Sequence, residues 1–187
     1  MVGVTTTLQP AVLWFTGLSG AGKSTIAREV CERLLAERAR VEYLDGDAIR
    51  HLFPNTGFSK PERDAHVRRV GFLASRLEHH GVFVVCALIS PYVESRAAVR
   101  ELCRRFIEIH VSTPLEECER RDVKGLYKRA RHGEITNFTG IDDVYEPPVS
   151  PEVRIDTSDL SVEQAVDVVM STLEIAGGVA RPVRGAL

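Results

Sequence analysis

The chain has 187 residues, of which 44% are hydrophobic, and a formal net charge of -2. These values are typical of a globular domain and give no overall attraction to nucleic acid or to an anionic membrane. No apolar run approaches the roughly 18 residues of a membrane span, and the first residues lack the pattern of a signal peptide. We therefore expect a cytoplasmic protein with a single domain over residues 1–187, a core over 11–175 and loose tails at 1–10 and 177–187.

The most specific motif is Gly17-Leu18-Ser19-Gly20-Ala21-Gly22-Lys23-Ser24, which fits the phosphate-binding loop pattern G-x-x-x-x-G-K-[ST]. It lies between an apolar run at 11–15 and a helical pattern at 23–37, which is the context that such a loop requires. In these loops the backbone N–H groups bind phosphate oxygens, Lys23 reaches the β/γ-phosphates and the hydroxyl of Ser24 is a ligand of Mg²⁺. The motif predicts that ATP and Mg²⁺ bind here, and the alternative is a glycine-rich turn.

Two carboxylates follow the second strand, which is predicted at 41–44. Asp45 and Asp47 lie at its carboxyl end, where open α/β sheets bind ligands, although an Asp-Gly pair is also a common turn. A kinase needs a carboxylate near Mg²⁺ and the acceptor hydroxyl, and the third strand, predicted at 82–89, ends at Ser90 without one. We predict that Asp47 is the catalytic carboxylate and a Mg²⁺ ligand, with Asp45 as its rival.

Three helix starts carry a capping-box pattern, in which Ser or Thr precedes Glu or Gln by three residues. These pairs are Ser59 with Glu62, Thr113 with Glu116, and Ser161 with Gln164. They predict a long helix that ends near residue 80, a short helix, and a last helix that ends near residue 175. Strands are predicted at 106–111 and 153–156.

The segment 122–148 differs from the rest of the chain in composition. It is basic in its first half and acidic in its second half, and it contains three glycines. A long irregular stretch inside a compact α/β unit is typical of a lid that orders over the nucleotide and excludes water. The alternative is a solvated surface loop.

Several of these motifs together resemble the adenylylsulfate (APS) kinase family over residues 12 to 175. They are Gly17 to Thr25, Leu44-Asp45-Gly46-Asp47 with Arg50, Phe58-Ser59 with Arg63 and Arg68-Arg69, Ser90-Pro91-Tyr92, Asp122 with Lys124-Gly125-Leu126-Tyr127-Lys128, and Phe138-Thr139-Gly140-Ile141-Asp142. The resemblance implies a P-loop, nucleoside-monophosphate-kinase-like three-layer α/β fold with a parallel sheet of about five strands. It also implies transfer of the γ-phosphoryl group of ATP to the 3′-hydroxyl of APS, a Mg²⁺ requirement and a homodimer. APS would come from a separate ATP sulfurylase.

The resemblance also assigns roles to individual residues. Phe58 and Phe138 would hold the APS adenine between them, and Arg50, Arg63 and His66 would bind its phosphosulfate and ribose. The catalytic set is predicted to be Lys23, Asp47 and Lys124, the last reaching the phosphates from the lid. The predicted substrate-binding set is Asp45, Asp47, Arg50, Phe58, Arg63, His66, Ile89, Ser90, Lys124 and Phe138.

Three positions depart from the family pattern, and they concern the acceptor side and the lid. His66 stands where the family usually has Asn, Val93 where it has Arg, and Val123 where it has Pro. If a protonated His66 binds the phosphosulfate, the KM for APS should rise with pH through the histidine titration range. The alternatives to an APS kinase are a kinase of the same scaffold that phosphorylates another nucleotide-linked acceptor, and a non-catalytic ATP-binding module.

Overall fold

The computed structural model describes residues 8–53 and 56–175, so the predicted loose tails fall outside it except for residues 8–10. In these residues the strands form one parallel sheet in the order β2-β3-β1-β4-β5. The strands are β1 (Val12–Thr16), β2 (Val41–Asp45), β3 (Phe83–Ala87), β4 (Phe106–Val111) and β5 (Val153–Ile155). The predicted α/β fold with a five-stranded parallel sheet is confirmed.

Helices cover both faces of this sheet, as expected for parallel strands that are buried on both sides. They are α1 (Lys23–Ala36), α2 (Gly46–Leu52), α3 (Lys60–His79), α4 (Val93–Leu102), α5 (Leu115–Arg121), α6 (Leu126–Arg131) and α7 (Val162–Ile175). None of the helices in the described ranges is both long and apolar enough to cross a membrane.

Strand β1 divides the core in two, because alternate side chains of a strand point to opposite faces. Leu13 and Phe15 pack in the cluster that contains α1 and α7. Val12 and Trp14 pack in the cluster on the other face, with residues of α3 and Val99 of α4. The result is a three-layer arrangement in which the carboxyl ends of β1, β2 and β3 lie at one edge and position the loops that follow them.

The capping predictions had different outcomes. Ser161 and Gln164 form both hydrogen bonds of a capping box, at 2.9 and 3.2 Å. Glu62 accepts a hydrogen bond from the backbone N–H of Ser59 at 3.0 Å, at the start of α3. The predicted box at Thr113 is wrong, since α5 begins after Pro114 with no side-chain cap and the hydroxyl of Thr113 is used elsewhere, as described below. Helix α2 was not predicted.

Candidate active site

The phosphate-binding loop connects β1 to α1 through glycines that have a left-handed backbone. Gly20 and Gly22 have φ values of 74° and 102°, and Gly22 is the N-cap of α1. At Gly17, a Cβ atom would approach the carbonyl oxygen of Val111 to 2.4 Å, so only glycine fits. The loop thus ends at a helix N-terminus, where backbone N–H groups and the helix dipole favour an anion.

The loop is fixed from behind by two threonine hydroxyls. Thr113 and Thr157 both donate to the carbonyl oxygen of Ala21, at 3.1 and 3.0 Å, and Ala21 itself is fully buried. These contacts satisfy a buried carbonyl group and hold the loop in one conformation.

Lys23 carries a largely buried charge in this loop. Its side chain curls back to donate to the carbonyl oxygen of Leu18 at 2.7 Å, and the residue is 8% exposed. Burial lowers the pKa of Lys23 to about 8, against the opposing effect of nearby Cys118 and Asp47. An ammonium group that has lost much of its hydration has a strong tendency to bind an anion that enters the site.

The two carboxylates after β2 have different tasks. Asp45 is the N-cap of α2 and accepts hydrogen bonds from the N–H groups of Asp47 and Ala48, at 2.9 and 3.1 Å. The hydroxyl of Tyr43 also lies 3.3 Å from Asp45. Asp47 projects outward from the first turn of α2 and is exposed. It is therefore the carboxylate that remains available to a metal ion or to a substrate hydroxyl.

Asp47 is paired with Lys124, which the resemblance implies is also a catalytic residue. The ammonium group of Lys124 donates to the carboxylate of Asp47 at 2.7 Å. The pKa of Asp47 is lowered. Partial desolvation by the surrounding cavity wall opposes ionisation, but the hydrogen bond from Lys124 and the charges of Lys124, Arg50 and Lys23 outweigh it. Asp47 is thus ionised at neutral pH.

A cavity of about 780 Å³ brings the predicted residues together. Its lining includes all ten residues predicted to bind substrate, namely Asp45, Asp47, Arg50, Phe58, Arg63, His66, Ile89, Ser90, Lys124 and Phe138. From the phosphate-binding loop it includes Ser19, Gly20, Gly22, Lys23, Ser24 and Thr25. Gly17, Leu18 and Ala21 do not line it and instead shape the loop. The roles of these residues remain predictions.

Two aromatic rings, those of Phe58 and Phe138, line the part of the cavity that is predicted to receive the acceptor. The guanidinium of Arg50 lies 4.6 Å from the ring centroid of Phe58 and donates to the carbonyl oxygen of Gly57 at 2.6 Å. Phe58 is half-exposed, so its ring is available to a ligand. Phe138 is 8% exposed and meets the edge of Tyr127, with ring centroids 5.0 Å apart.

His66 is a neutral imidazole in this structure. Its Nε2 lies 3.0 Å from the carbonyl oxygen of Gly46, so Nε2 is the protonated nitrogen. Burial, together with the charge of Arg50, lowers the pKa of His66 to about 4. This lowered pKa favours the neutral imidazole at physiological pH and so argues against binding of the phosphosulfate by a protonated His66, which stays a prediction for kinetics to test.

Ser90 is held in an unusual backbone conformation at the end of β3. Its φ is 40°, a value rare for residues other than glycine. Trp14 donates to its hydroxyl at 3.0 Å, and Arg96 donates to its carbonyl oxygen at 2.6 Å. The buried contacts over-determine this conformation, as expected for strain at a ligand site.

Asp122 and Tyr127, which the sequence analysis left without a role, shape the part of the cavity that the 122–148 segment lines. Asp122 accepts hydrogen bonds from the N–H groups of Tyr127 and Lys128, both at 3.0 Å, and so starts α6. The hydroxyl of Tyr127 then donates to the carbonyl oxygen of Ser19 at 2.9 Å, which connects α6 to the phosphate-binding loop. The short spacing from Asp122 to Tyr127 is the one sequence signal that could have indicated the hydrogen bond between Asp122 and the N–H of Tyr127.

The fold and the site together define a P-loop kinase. A phosphate-binding loop shares one cavity with an ionised carboxylate, an exposed lysine and aromatic side chains suited to a nucleobase. Comparison with known proteins makes the class more specific. The family model for adenylylsulphate kinase matches residues 9–156. The chain belongs to this family.

Individual relatives agree with this placement. The adenylyl-sulfate kinase of Synechococcus sp. (strain JA-3-3Ab) is 52% identical over 166 residues, which cover 88% of this chain and 94% of the relative. The enzyme of Halothermothrix orenii is 48% identical over 171 residues, covering 91% and 92%. The structure of the Mycobacterium tuberculosis APS kinase in complex with AMPPNP and APS has a TM-score of 0.85 at 41% identity, and the match covers 90% of this chain and 99% of that chain.

A further similar structure is that of a longer chain. The hexameric APS kinase from Thiobacillus denitrificans has a TM-score of 0.69 at 36% identity. The match covers 92% of this chain and 30% of that chain.

Proposed function

We propose that this chain transfers the γ-phosphoryl group of ATP to the 3′-hydroxyl of APS and forms 3′-phosphoadenylylsulfate and ADP. Family membership supports the reaction, and one structural observation supports the roles that we assign to individual residues. The phosphate-binding loop, the Asp47–Lys124 pair and the aromatic rings of Phe58 and Phe138 all line a single cavity. Donor and acceptor nucleotides would thus meet in one enclosed space, as direct phosphoryl transfer requires.

On the donor side, the loop binds the ATP phosphates. The N–H groups at the start of α1 face the phosphate oxygens, and Lys23 exchanges its contact with the Leu18 carbonyl for the β/γ-phosphates. The exchange is favourable because it gives a desolvated ammonium group a negatively charged partner.

The residues fit a magnesium ion. The hydroxyl of Ser24 and the carboxylate of Asp47 are oxygen donors on the cavity wall, and Mg²⁺ is usually held by one or two such groups together with phosphates and water. Asp45 fits less well, since its carboxylate is already the cap of α2. When bound, Mg²⁺ neutralises charge on the transferring phosphoryl group.

On the acceptor side, the aromatic rings and arginines hold APS. Phe58 and Phe138 stack on the adenine, while Arg50 and Arg63 bind the anionic phosphosulfate. Asp47 orients the 3′-hydroxyl and takes its proton as the 3′-oxygen bonds to the γ-phosphorus and the bond from that phosphorus to the ADP oxygen breaks. Lys124 leaves Asp47 and stabilises charge on the phosphates.

The wider context of the reaction is also part of this proposal. The four cysteines of the described residues are free thiols, which supports a reducing, cytoplasmic location. We expect a homodimer, with a separate ATP sulfurylase as the source of APS. Because the similar APS kinase from Thiobacillus denitrificans is hexameric, the oligomeric state of this chain should be measured by light scattering.

The test is to incubate the purified protein with ATP, Mg²⁺ and APS and to identify the products by mass spectrometry. We expect ADP and 3′-phosphoadenylylsulfate in equal amounts. AMP and adenosine serve as alternative acceptors, and the Lys23→Ala variant controls for contaminating kinases. Phosphorylation of another acceptor without turnover of APS would reject the proposal.

A further inference from the structure

Asp143 is a carboxylate outside the cavity lining that contacts three separate parts of the chain. The hydroxyl of Tyr92, after β3, donates to both of its oxygens at 2.9 and 3.1 Å. The hydroxyl of Thr139 donates to it at 3.2 Å, and Nε of Arg63, in α3, lies 3.6 Å from it. We call these four residues the Asp143 cluster. Its centre is largely buried, since the Asp143 side chain is 20% exposed.

Within this cluster, Arg63 connects the two aromatic residues of the acceptor side. Its Nε donates to the carbonyl oxygen of Phe58 at 2.8 Å, and its Nη2 donates to the carbonyl oxygen of Asn137, the neighbour of Phe138. The guanidinium carbon also lies 5.4 Å from the ring centroid of Phe58. One side chain therefore holds the backbone next to both rings.

Arg63 needs a negative partner because its charge is almost completely buried. Its side chain is 6% exposed, and its two hydrogen bonds to Phe58 and Asn137 are to neutral carbonyl groups. A buried cation without a counter-charge carries a large desolvation penalty. Asp143 supplies that counter-charge, and the phenol of Tyr92 orients its carboxylate.

The turn from 137 to 143, which contains Phe138, is held together by its own hydrogen bonds. Asp142 accepts hydrogen bonds from the N–H groups of Asn137 and Phe138, at 2.7 and 2.6 Å. The N–H of Gly140 donates back to the carbonyl oxygen of Asp143 at 2.8 Å. A change at Asp143 is therefore transmitted to Phe138 through the turn and to Phe58 through Arg63.

We infer that Asp143 is a positioning residue for the acceptor: by holding Arg63 against the backbone of Phe58 and Asn137, it fixes the two rings in the arrangement that receives the acceptor nucleobase. This rests on the proposed function, because it concerns the acceptor that the proposal names. The contacts of Asp143 described above include none with the phosphate-binding loop, so we expect its loss to affect the KM for APS more than the KM for ATP.

Steady-state kinetics of Asp143→Asn test this inference. The variant keeps an oxygen that accepts from Tyr92 but loses the charge opposite Arg63. We expect the KM for APS to rise about tenfold or more, with the KM for ATP within about twofold of the native value. Glu134→Gln is the matched control, since Glu134 is an exposed carboxylate of the same segment that pairs with Arg129 at 3.3 Å. It should leave both KM values unchanged.

A double-mutant cycle tests whether Asp143 acts through Arg63. Since Arg63→Ala removes the group that Asp143 holds, adding Asp143→Asn to it should raise the KM for APS no further. Multiplied effects, or equal rises in the KM for APS and for ATP, would overturn the inference. Thr139→Val, which removes one hydrogen bond of the cluster, gives a milder version of the same pattern if Asp143→Asn folds poorly. Failure of the proposed function can be distinguished from failure of this inference, because in the first case the native protein itself would not turn over APS.

Discussion

The ammonium group of Lys124 lies 2.7 Å from the carboxylate of Asp47, and both side chains are largely exposed, at 61% and 69%. An exposed ion pair contributes about 0–1 kcal/mol to stability, so the fold does not depend on it. The pair instead keeps a cation of the 122–148 segment beside Asp47, the carboxylate that we propose acts on the acceptor hydroxyl.

Lys124→Ala should therefore lower kcat without lowering stability. We expect kcat to fall by about 10²-fold or more, because a charge that stabilises the transferring phosphoryl group is lost, while the free energy of unfolding changes by less than about 0.5 kcal/mol. Kinetics and urea denaturation measure the two quantities. Lys128→Ala, in the same segment, is the control and should retain near-native kcat. A large loss of stability in Lys124→Ala would mean that the pair is structural.

Asp47→Asn and Asp45→Asn should have different effects, although the residues are two positions apart. Asp47→Asn removes the ionised carboxylate, so kcat should fall by orders of magnitude with the KM for ATP much less affected. Asn caps helices about as well as Asp, so Asp45→Asn should remain active, and Asp45→Ala should cost about 1 kcal/mol of stability. Equal losses of kcat in the two Asn variants would mean that both carboxylates take part in the reaction.

Much of this architecture could be predicted because its signals are local. The phosphate-binding loop and the strand at 106–111 have the predicted positions, since a glycine-rich loop and a continuous apolar run depend on neighbouring residues. Helix α2 was missed because Asp45-Gly46 also fits a turn, and the capping role of Asp45 decides between the two. The local sequence pattern alone does not distinguish a turn from the start of a helix at this position.

The parts that could not be predicted depend on contacts between distant residues. The hydroxyl of Thr113 was assigned to a helix cap, but it binds the carbonyl of Ala21, which is 92 positions away in the chain. The contact from Arg63 to Asn137 likewise spans 74 positions. The convergence of Phe58 and Phe138 on one cavity followed only from the family resemblance, because either ring alone fits a hydrophobic core.

Replacement of Lys23 should separate activity from stability. Lys23→Met removes the cation that binds the β/γ-phosphates, so turnover should be abolished. Burial lowers the pKa of Lys23 to about 8, below its unfolded value of 10.5, so the charged form is disfavoured in the folded state. Between these pH values the unfolded chain binds more protons, and this residue's contribution to native stability rises with pH.

The consequence is that Lys23→Met should be at least as stable as the native protein at pH 7, with an advantage that shrinks as the pH rises from 8 to 10.5. Chemical denaturation at several pH values measures this difference. Lys128→Met at an exposed lysine controls for the added apolar side chain. Near-native turnover in Lys23→Met would contradict the assignment of the phosphate-binding loop.

The segment 122–148 should respond to nucleotides. Its basic residues around α6 are mostly exposed, so trypsin should cut there first in the free protein. If the segment is a lid, ADP and APS together should slow this cleavage, because closure buries the backbone. Mass spectrometry of the fragments locates the cuts, and cleavage after exposed Arg28 in α1 is an internal reference. Equal cleavage with and without both nucleotides would indicate a static loop.

His66 should influence stability at acid pH and not the pH dependence of APS binding. Its pKa is lowered to about 4 by burial and by the charge of Arg50, whereas an unfolded histidine titrates near 6.5. The unfolded chain therefore binds more protons between these values, and native stability is lost as the pH falls from 6.5 to 4. His66→Asn places the residue usual in the family at this position and removes this term, so the loss of stability over that window should be smaller by about 1–3 kcal/mol. His110, whose pKa is also lowered to about 4, retains its own contribution in the variant. His80→Asn, at an exposed histidine, should leave the pH profile of stability unchanged.

Because His66 stays neutral, the KM for APS in the native protein should not follow a histidine titration between pH 6 and 8. A rise of that KM with pH that disappears in His66→Asn would show that the imidazolium form binds the acceptor after all.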